Sequence, residues 1–208
     1  MEVGPLSFTF SGKRLYEKIY LRLRPGDFVH LKGPSGCGKT TMLRQIVGLE
    51  ASEAERRLHG RLYPLSQIAH FRSRCLYLAP EAPILDGTIS ENLLFPYKFR
   101  NNRTKKHGKI YQILKKLGLD LPPETPASNL STGERQRLAL ARALLFDPDV
   151  ILADEPFSAL DEENFRKAFE LLYAFSRRKN KAVLCVSHGD LPRTTRVILL
   201  CEGKLKEP

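Results

Sequence analysis

Apolar and polar residues alternate near the start of the chain and then change period. Ile19, Leu21 and Leu23 alternate with Tyr20, Arg22 and Arg24, the period-2 pattern of a strand with one buried face. Pro25-Gly26-Asp27 closes the run as a turn, so the stretch from Leu6 to Leu23 reads as short antiparallel strands. From Phe28 the apolar runs become continuous: Phe28-Val29-His30-Leu31, Leu76-Tyr77-Leu78, Val150-Ile151-Leu152, Ala182-Val183-Leu184-Cys185-Val186 and Val197-Ile198-Leu199-Leu200. Strands buried on both faces read this way, and their alternation with helices predicts a layered α/β core around a parallel sheet. Between about Ala82 and Leu130 the strand signal disappears. Ile110, Ile113, Leu114 and Leu117 fall at i, i+3, i+4 and i+7, a helix that Gly118 can end. Leu121-Pro122-Pro123-Glu124-Thr125-Pro126 is a stiff loop after it, so this region reads as a mostly helical insertion.

Gly33-Pro34-Ser35-Gly36-Cys37-Gly38-Lys39-Thr40 joins the first buried strand to the helix-like Met42-Leu43-Arg44-Gln45-Ile46-Val47. A strand before and a helix after are the context a phosphate-binding P-loop requires. Glycines let successive N–H groups curl toward a phosphate, and the helix aims its positive end at the same anion. Lys39 supplies a fixed positive charge near the terminal phosphates, Thr40 a hydroxyl for Mg²⁺. The motif implies binding of a nucleoside triphosphate.

Val150-Ile151-Leu152-Ala153-Asp154-Glu155 is a buried strand ending in two carboxylates, followed at once by Pro156-Phe157-Ser158-Ala159-Leu160-Asp161. In a P-loop fold such a strand lies beside the phosphate loop. Asp154 can then hold Mg²⁺ through its water shell, and Glu155 can polarise the attacking water as general base. Ser131 and Glu134 in Leu130-Ser131-Thr132-Gly133-Glu134-Arg135-Gln136 have the spacing of a capping box at a helix start. The same capped N-terminus can present N–H groups to a phosphate held on another subunit. His188 directly follows a buried strand, from which it can reach a terminal phosphate as a donor.

Composition narrows the class. The chain has 208 residues, 42% hydrophobic and 27% charged, enough for one domain with a substantial core. It has no apolar run of about 18 residues, and Met1-Glu2-Val3-Gly4-Pro5 has no signal-peptide pattern. Any membrane role is expected through a partner. Cys37, Cys75, Cys185 and Cys201 are scattered without metal spacing, which fits a reducing compartment. The net charge of +11 concentrates at Lys98, Arg100, Arg103, Lys105, Lys106 and Lys109. No nucleic-acid motif accompanies that cluster, so it reads as a solvated basic face and no nucleic-acid partner is expected.

In order and spacing these motifs strongly resemble the ATP-binding-cassette (ABC) ATPases, the ATP-binding subunits of ABC transporters, over nearly the whole chain. The resemblance implies an α/β P-loop NTPase with a RecA-like core, an antiparallel β subdomain and a helical subdomain. One nucleotide-binding domain over 1–208 is expected, with residues 1–81 and 134–208 as ATPase core and 82–133 as the helical signature subdomain. It further implies ATP as ligand with Mg²⁺, bound by Gly33 through Thr40 together with Thr41, and Phe10 stacked on adenine. Ser131, Thr132, Gly133 and Glu134 correspond to the signature loop that closes on the partner's ATP, Asp161 links the two sites, and His188 contacts the γ-phosphate. A head-to-tail, ATP-dependent dimer follows from that pattern. Two features depart from it. Glu81, in Ala79-Pro80-Glu81-Ala82-Pro83, stands where Gln is usual; it can still ligand Mg²⁺ but cannot donate a hydrogen bond. The signature reads Ser-Thr-Gly-Glu where Ser-Gly-Gly-Gln is usual.

By the same resemblance, a single cassette of this size attaches to a separate integral membrane permease on the cytoplasmic face of the inner or plasma membrane, docking near residues 81–103. Thr88 through Tyr97 is similar to the docking stretch of Fet-type iron-export ATPases, and its Leu93, Leu94, Phe95 and Tyr97 either fill a socket for a partner helix or pack inside the helical subdomain. Three readings compete, in this order: energy coupling for a membrane transporter, with iron or another metal exported; a regulatory ATPase whose membrane partner handles lipid or protein; and a soluble ATPase acting on DNA or the ribosome.

Overall fold

A computed structural model describes residues 1–81, 83–99 and 107–207. The expected docking stretch and basic cluster fall partly outside them, at Ala82, Arg100, Arg103, Lys105 and Lys106. The chain groups into two compact units. The first comprises Met1–Tyr77, Pro148–Glu155 and Ser176–Pro208; the second comprises Leu78–Asp147 and Pro156–Phe175.

In the first unit β1 (Glu2–Phe10) and β2 (Lys13–Arg22) pair antiparallel. With β4 (Glu55–Leu58) and β5 (Arg61–Leu62) they form a four-stranded sheet in the order β2-β1-β4-β5. Ile19, Leu21 and Leu23 are buried while Tyr20 is exposed, as their alternation dictates. A second sheet takes β3 (Phe28–Lys32), β6 (Cys75–Leu78), β7 (Val150–Asp154), β8 (Ala182–Val186), β9 (Arg196–Cys201) and β10 (Lys204–Lys206) in the order β10-β9-β3-β8-β7-β6. β3 is parallel to both β8 and β9, and β7 is parallel to β8, while β10 turns back antiparallel on β9. All five residues of β7 and of β8 are buried, hence their unbroken apolar sequence. α1 (Lys39–Ile46) buries Met42, Leu43 and Ile46 in a core shared with Leu6, Tyr16, Val29, Leu31 and Leu152. α2 (Ile68–Arg72) is a single short turn that buries Phe71.

The C-terminal end of α1 is held by two guanidinium groups. Arg56, 2% exposed, donates to the carbonyls of Gln45, Ile46 and Ala54 at 2.8 Å each. Arg72 donates to Val47 at 2.7 Å and Gly48 at 2.5 Å. Cations at this end satisfy orphan carbonyls and oppose the negative end of the helix dipole.

The second unit is helical: α3 (Ile89–Leu94), α4 (His107–Lys116), α5 (Thr132–Phe146) and α6 (Glu162–Ser176). Ile110, Leu114 and Leu117 are buried and Ile113 is half-buried, the stripe expected of α4. The unit reaches beyond residue 133 because α5 packs against α3 and α4. Phe157, Phe165, Phe169 and Tyr173 form a contiguous aromatic row, with successive centroids 5.2, 6.0 and 5.9 Å apart. Asn92 is fully buried and clasps the turn before α3, accepting from the Leu85 amide at 2.8 Å and donating to the carbonyls of Leu85 at 2.9 Å and Thr88 at 3.0 Å. Leu93 is also fully buried, whereas Leu94, Phe95 and Tyr97 are half-buried. The Tyr97 hydroxyl donates to the Leu145 carbonyl. Leu93 therefore packs inside this unit. Among the described residues no helix is long and apolar enough to cross a membrane.

Candidate nucleotide site

Parallel order brings three chain segments to one edge of the large sheet. β3, β8 and β7 are neighbours and run the same way, so the loops leaving their C-terminal ends converge, the usual place for a ligand in an open α/β sheet. Gly33 through Gly38 follow β3, Ser187 and His188 follow β8, and Asp154 ends β7 with Glu155 immediately beyond. Ser35, Gly36 and Gly38 of the first loop, His188 of the second and Glu155 of the third line an open cleft of about 720 Å³, with Asp154 buried behind Glu155. Ser35, Gly36, Gly38, Lys39, Thr40 and Thr41 form its floor, Glu155 and His188 lie at one side, and Phe8, Phe10 and Leu15 come from the antiparallel strands.

Two glycines fix the shape of the loop. A Cβ on Gly33 would stand 2.5 Å from the Leu200 carbonyl oxygen. Gly38 has φ 96°, and a Cβ there would meet the Tyr16 ring at 2.9 Å. Tyr16 cannot yield, since it is 1% exposed and its hydroxyl donates to Gln45 Oε1 at 2.9 Å. Gly38 is also the residue before α1; it provides no side-chain cap, and the first turn carries no acidic residue. The amides of that turn are thus left for an anion. Lys39 folds back over the loop, donating to the carbonyls of Gly33 at 2.8 Å and Pro34 at 3.0 Å. Cys37 Sγ lies 3.9 Å from the same ammonium.

Glu155 adopts φ 50°, a left-handed conformation that costs a non-glycine residue about 1–3 kcal/mol and collects at functional sites. Its amide donates to the Val186 carbonyl at 2.9 Å, and its Oε1 lies 2.8 Å from His188 Nε2. Carboxylate and imidazole therefore face the cleft as a pair. Asp154 is 0% exposed. Its Oδ2 accepts a hydrogen bond from the Tyr77 hydroxyl at 2.9 Å, while Oδ1 is buried without a protein partner. Burial first, and the Asp154 charge second, push the Tyr77 hydroxyl above its ordinary value, so it stays a donor. A buried carboxylate oxygen left bare is suited to the hydration shell of a hard cation, so Asp154, with the Thr40 hydroxyl, fits Mg²⁺.

The remaining expected residues belong to the helical unit. Glu81 is exposed there. Ser131 caps α5: its Oγ accepts from the Glu134 amide at 3.4 Å, and Glu134 Oε2 accepts from the Ser131 amide at 2.8 Å and hydroxyl at 2.7 Å. The side-chain bond from Ser131, then the backbone one, hold the Glu134 carboxyl below its ordinary range. A Cβ on Gly133 would lie 2.9 Å from the Ala159 carbonyl oxygen. Gln136 clasps the same turn, donating to Ser158 Oγ at 3.1 Å and accepting from the Ala159 amide at 3.0 Å. Residues 131–134 and the turn before Asp161 are thus packed together. Asp161 accepts from the Asn164 amide at 2.8 Å and from Asn164 Nδ2 at 2.7 Å, which holds its carboxyl below the ordinary range.

Tyr77, and Leu15 and Glu50 of the cleft lining, were not singled out by the sequence. Tyr77 was visible there only as an aromatic in an apolar run, and its contact with Asp154 joins residues 77 positions apart.

A family model described as ABC transporter matches residues 16–158. The chain is 33% identical over its whole length to a sulfate/thiosulfate import ATP-binding protein CysA of Bordetella pertussis, of which the match spans 61%. It spans about three fifths of such relatives. It is 35% identical, over 92% of its length and 86% of the relative's, to a lipoprotein-releasing system ATP-binding protein LolD of Buchnera aphidicola. Its fold matches the dimeric, post-hydrolysis structure of the ATP-binding cassette MJ0796 bound to ADP and Pi, with TM-score 0.81, 27% identity and coverage of 100% of this chain and 98% of that one.

Proposed function

The chain belongs to the ABC transporter family as an ATP-binding cassette ATPase, and on that premise we propose that it powers a separate membrane-embedded permease. The observation that carries the reading is the convergence of the Lys39 loop, Glu155 just beyond the end of β7, and His188 on one cleft. In this reading Phe10 stacks on adenine at the mouth of the cleft, and the α1 amides receive the phosphates. Lys39 exchanges the Gly33 and Pro34 carbonyls for the terminal phosphate oxygens. Thr40, and Asp154 through water, would hold Mg²⁺, which would supply neutralisation of the phosphate charge; Glu81 is the further candidate ligand. Glu155 takes a proton from the attacking water, and His188 donates to the γ-phosphate. The capped start of α5, residues 131–134, meets the ATP of a second copy in a head-to-tail dimer, with Asp161 linking the two sites. The dimeric state of the MJ0796 structure supports that arrangement.

The site of work is the cytoplasmic face of the inner or plasma membrane. The Fet-type iron-export resemblance of residues 88–97 has no counterpart among the named relatives, which import sulfate or thiosulfate or release lipoproteins. The LolD match spans most of both chains, which favours, as the second reading, a partner that handles a lipid-modified protein rather than a small solute. Affinity purification of tagged Glu155→Gln from detergent-solubilised membranes with Mg-ATP tests both. One multi-spanning protein in near-equal amount is the expected result. Ribosomes, DNA-bound proteins, or no membrane protein at all would overturn the transporter reading.

A further inference from the structure

The two oxygens of Asp154 differ: Tyr77 holds one at 2.9 Å and the other is buried with no protein partner. A buried carboxylate with an open oxygen is costly unless a ligand completes it. Its aim is then set by whichever group fixes the other oxygen, as outer partners orient metal ligands. Tyr77 lies on β6, beside β7 in the sheet, so the donor is delivered by backbone pairing rather than by a loop. It is also uncharged. A Lys or Arg in its place would neutralise Asp154 and compete with a dication, whereas a phenol holds one oxygen and leaves the negative charge intact.

We propose that Tyr77 is the positioning residue for the metal-binding carboxylate: its hydroxyl fixes Asp154 through Oδ2 and reserves Oδ1 for the hydration shell of the Mg²⁺ that accompanies the nucleotide. The proposal rests on the ATP-site reading above. Tyr77→Phe keeps the ring and deletes only the donor. The test measures AMPPNP affinity by calorimetry with Mg²⁺ and with EDTA, because the ratio of the two isolates the metal's contribution. In Tyr77→Phe that ratio falls about tenfold, at the lower end of the range for losing an outer partner of a metal ligand. Affinity in EDTA and metal-free thermal unfolding stay at wild-type values. Mn²⁺ binding to the AMPPNP complex, followed by electron paramagnetic resonance, weakens by the same factor. In an Asp154→Asn background, Tyr77→Phe has no further effect on the ratio. An unchanged ratio, or equal losses with and without metal, would overturn the proposal while the wild-type ratio left the ATP site standing. A wild-type ratio of one would remove both together.

Discussion

Phe10 ends β1, pairs across the turn with Lys13, and is 65% exposed at the cleft. An exposed ring adds little to the core, so Phe10→Ala leaves no cavity and should not move the unfolding temperature. Its role in the account is to stack on adenine. Base–aromatic stacking contributes about 1–3 kcal/mol by alanine substitution, which predicts ATP binding weaker by about 5- to 150-fold. Calorimetric titration of wild type and variant checks this, with inorganic tripolyphosphate as the comparison ligand. Tripolyphosphate meets the Lys39 loop but has no base, so its affinity should be equal in the two proteins. Phe10→Trp should restore ATP affinity, since the larger ring offers at least as much stacking surface. Equal ATP affinities in wild type and Phe10→Ala would refute the reasoning. So would equal losses for ATP and tripolyphosphate, which would place the effect in the loop rather than the ring.

Three further outcomes follow from the geometry. Gly38→Ala must hold a side chain at φ 96° with its Cβ 2.9 Å from the Tyr16 ring; it should cost about 2–4 kcal/mol in denaturant unfolding and abolish ATP binding. Arg56→Met removes three buried hydrogen bonds, two of them at the end of α1; it should lower stability by about 3 kcal/mol, and a change under 1 kcal/mol would mean those carbonyls find other donors. His30 is 1% exposed, and burial lowers its value below the ordinary 6.5, with the Ser187 carbonyl opposing. Its unfolded form takes up a proton first as pH falls, so stability is complete above about 6.5 and declines through the window below it; chemical denaturation at pH 7.5 and 5.5 should show the loss, and His30→Gln should reduce it.

Much of this architecture was legible because single segments carry it. The runs at Phe28, Val150 and Ala182 are apolar throughout because both faces of β3, β7 and β8 are covered, and each ends in residues no core would choose: a glycine loop, two carboxylates, a histidine. What stayed hidden depends on partners distant in sequence. β4 reads Glu55-Arg56-Arg57-Leu58, too charged for a strand, yet Arg56 is buried because the carbonyls of α1 satisfy it. Gly4-Pro5 looks like a break, but β1 runs through it, pairing with β2 by an irregular register. The capping box at Ser131 marks the start of α5, but the grouping of α5 with α3 and α4 rests on packing that no local pattern displays. Within the site, Glu155–His188 and Tyr77–Asp154 connect neighbouring strands, so only the sheet order brings them together. Leu93 could have faced a partner or the core, and its complete burial decides for the core.

The central claim, that Glu155 is the general base of an ATPase centred on this cleft, is tested most directly by Glu155→Gln. ATP affinity and phosphate release should be measured on the same preparation with Mg²⁺. Loss of a general base removes about 10²–10⁴-fold in rate, so ATP should bind at least as tightly as in wild type while release falls at least 100-fold. Release at the wild-type rate with ATP bound normally would contradict the account and take the base away from Glu155.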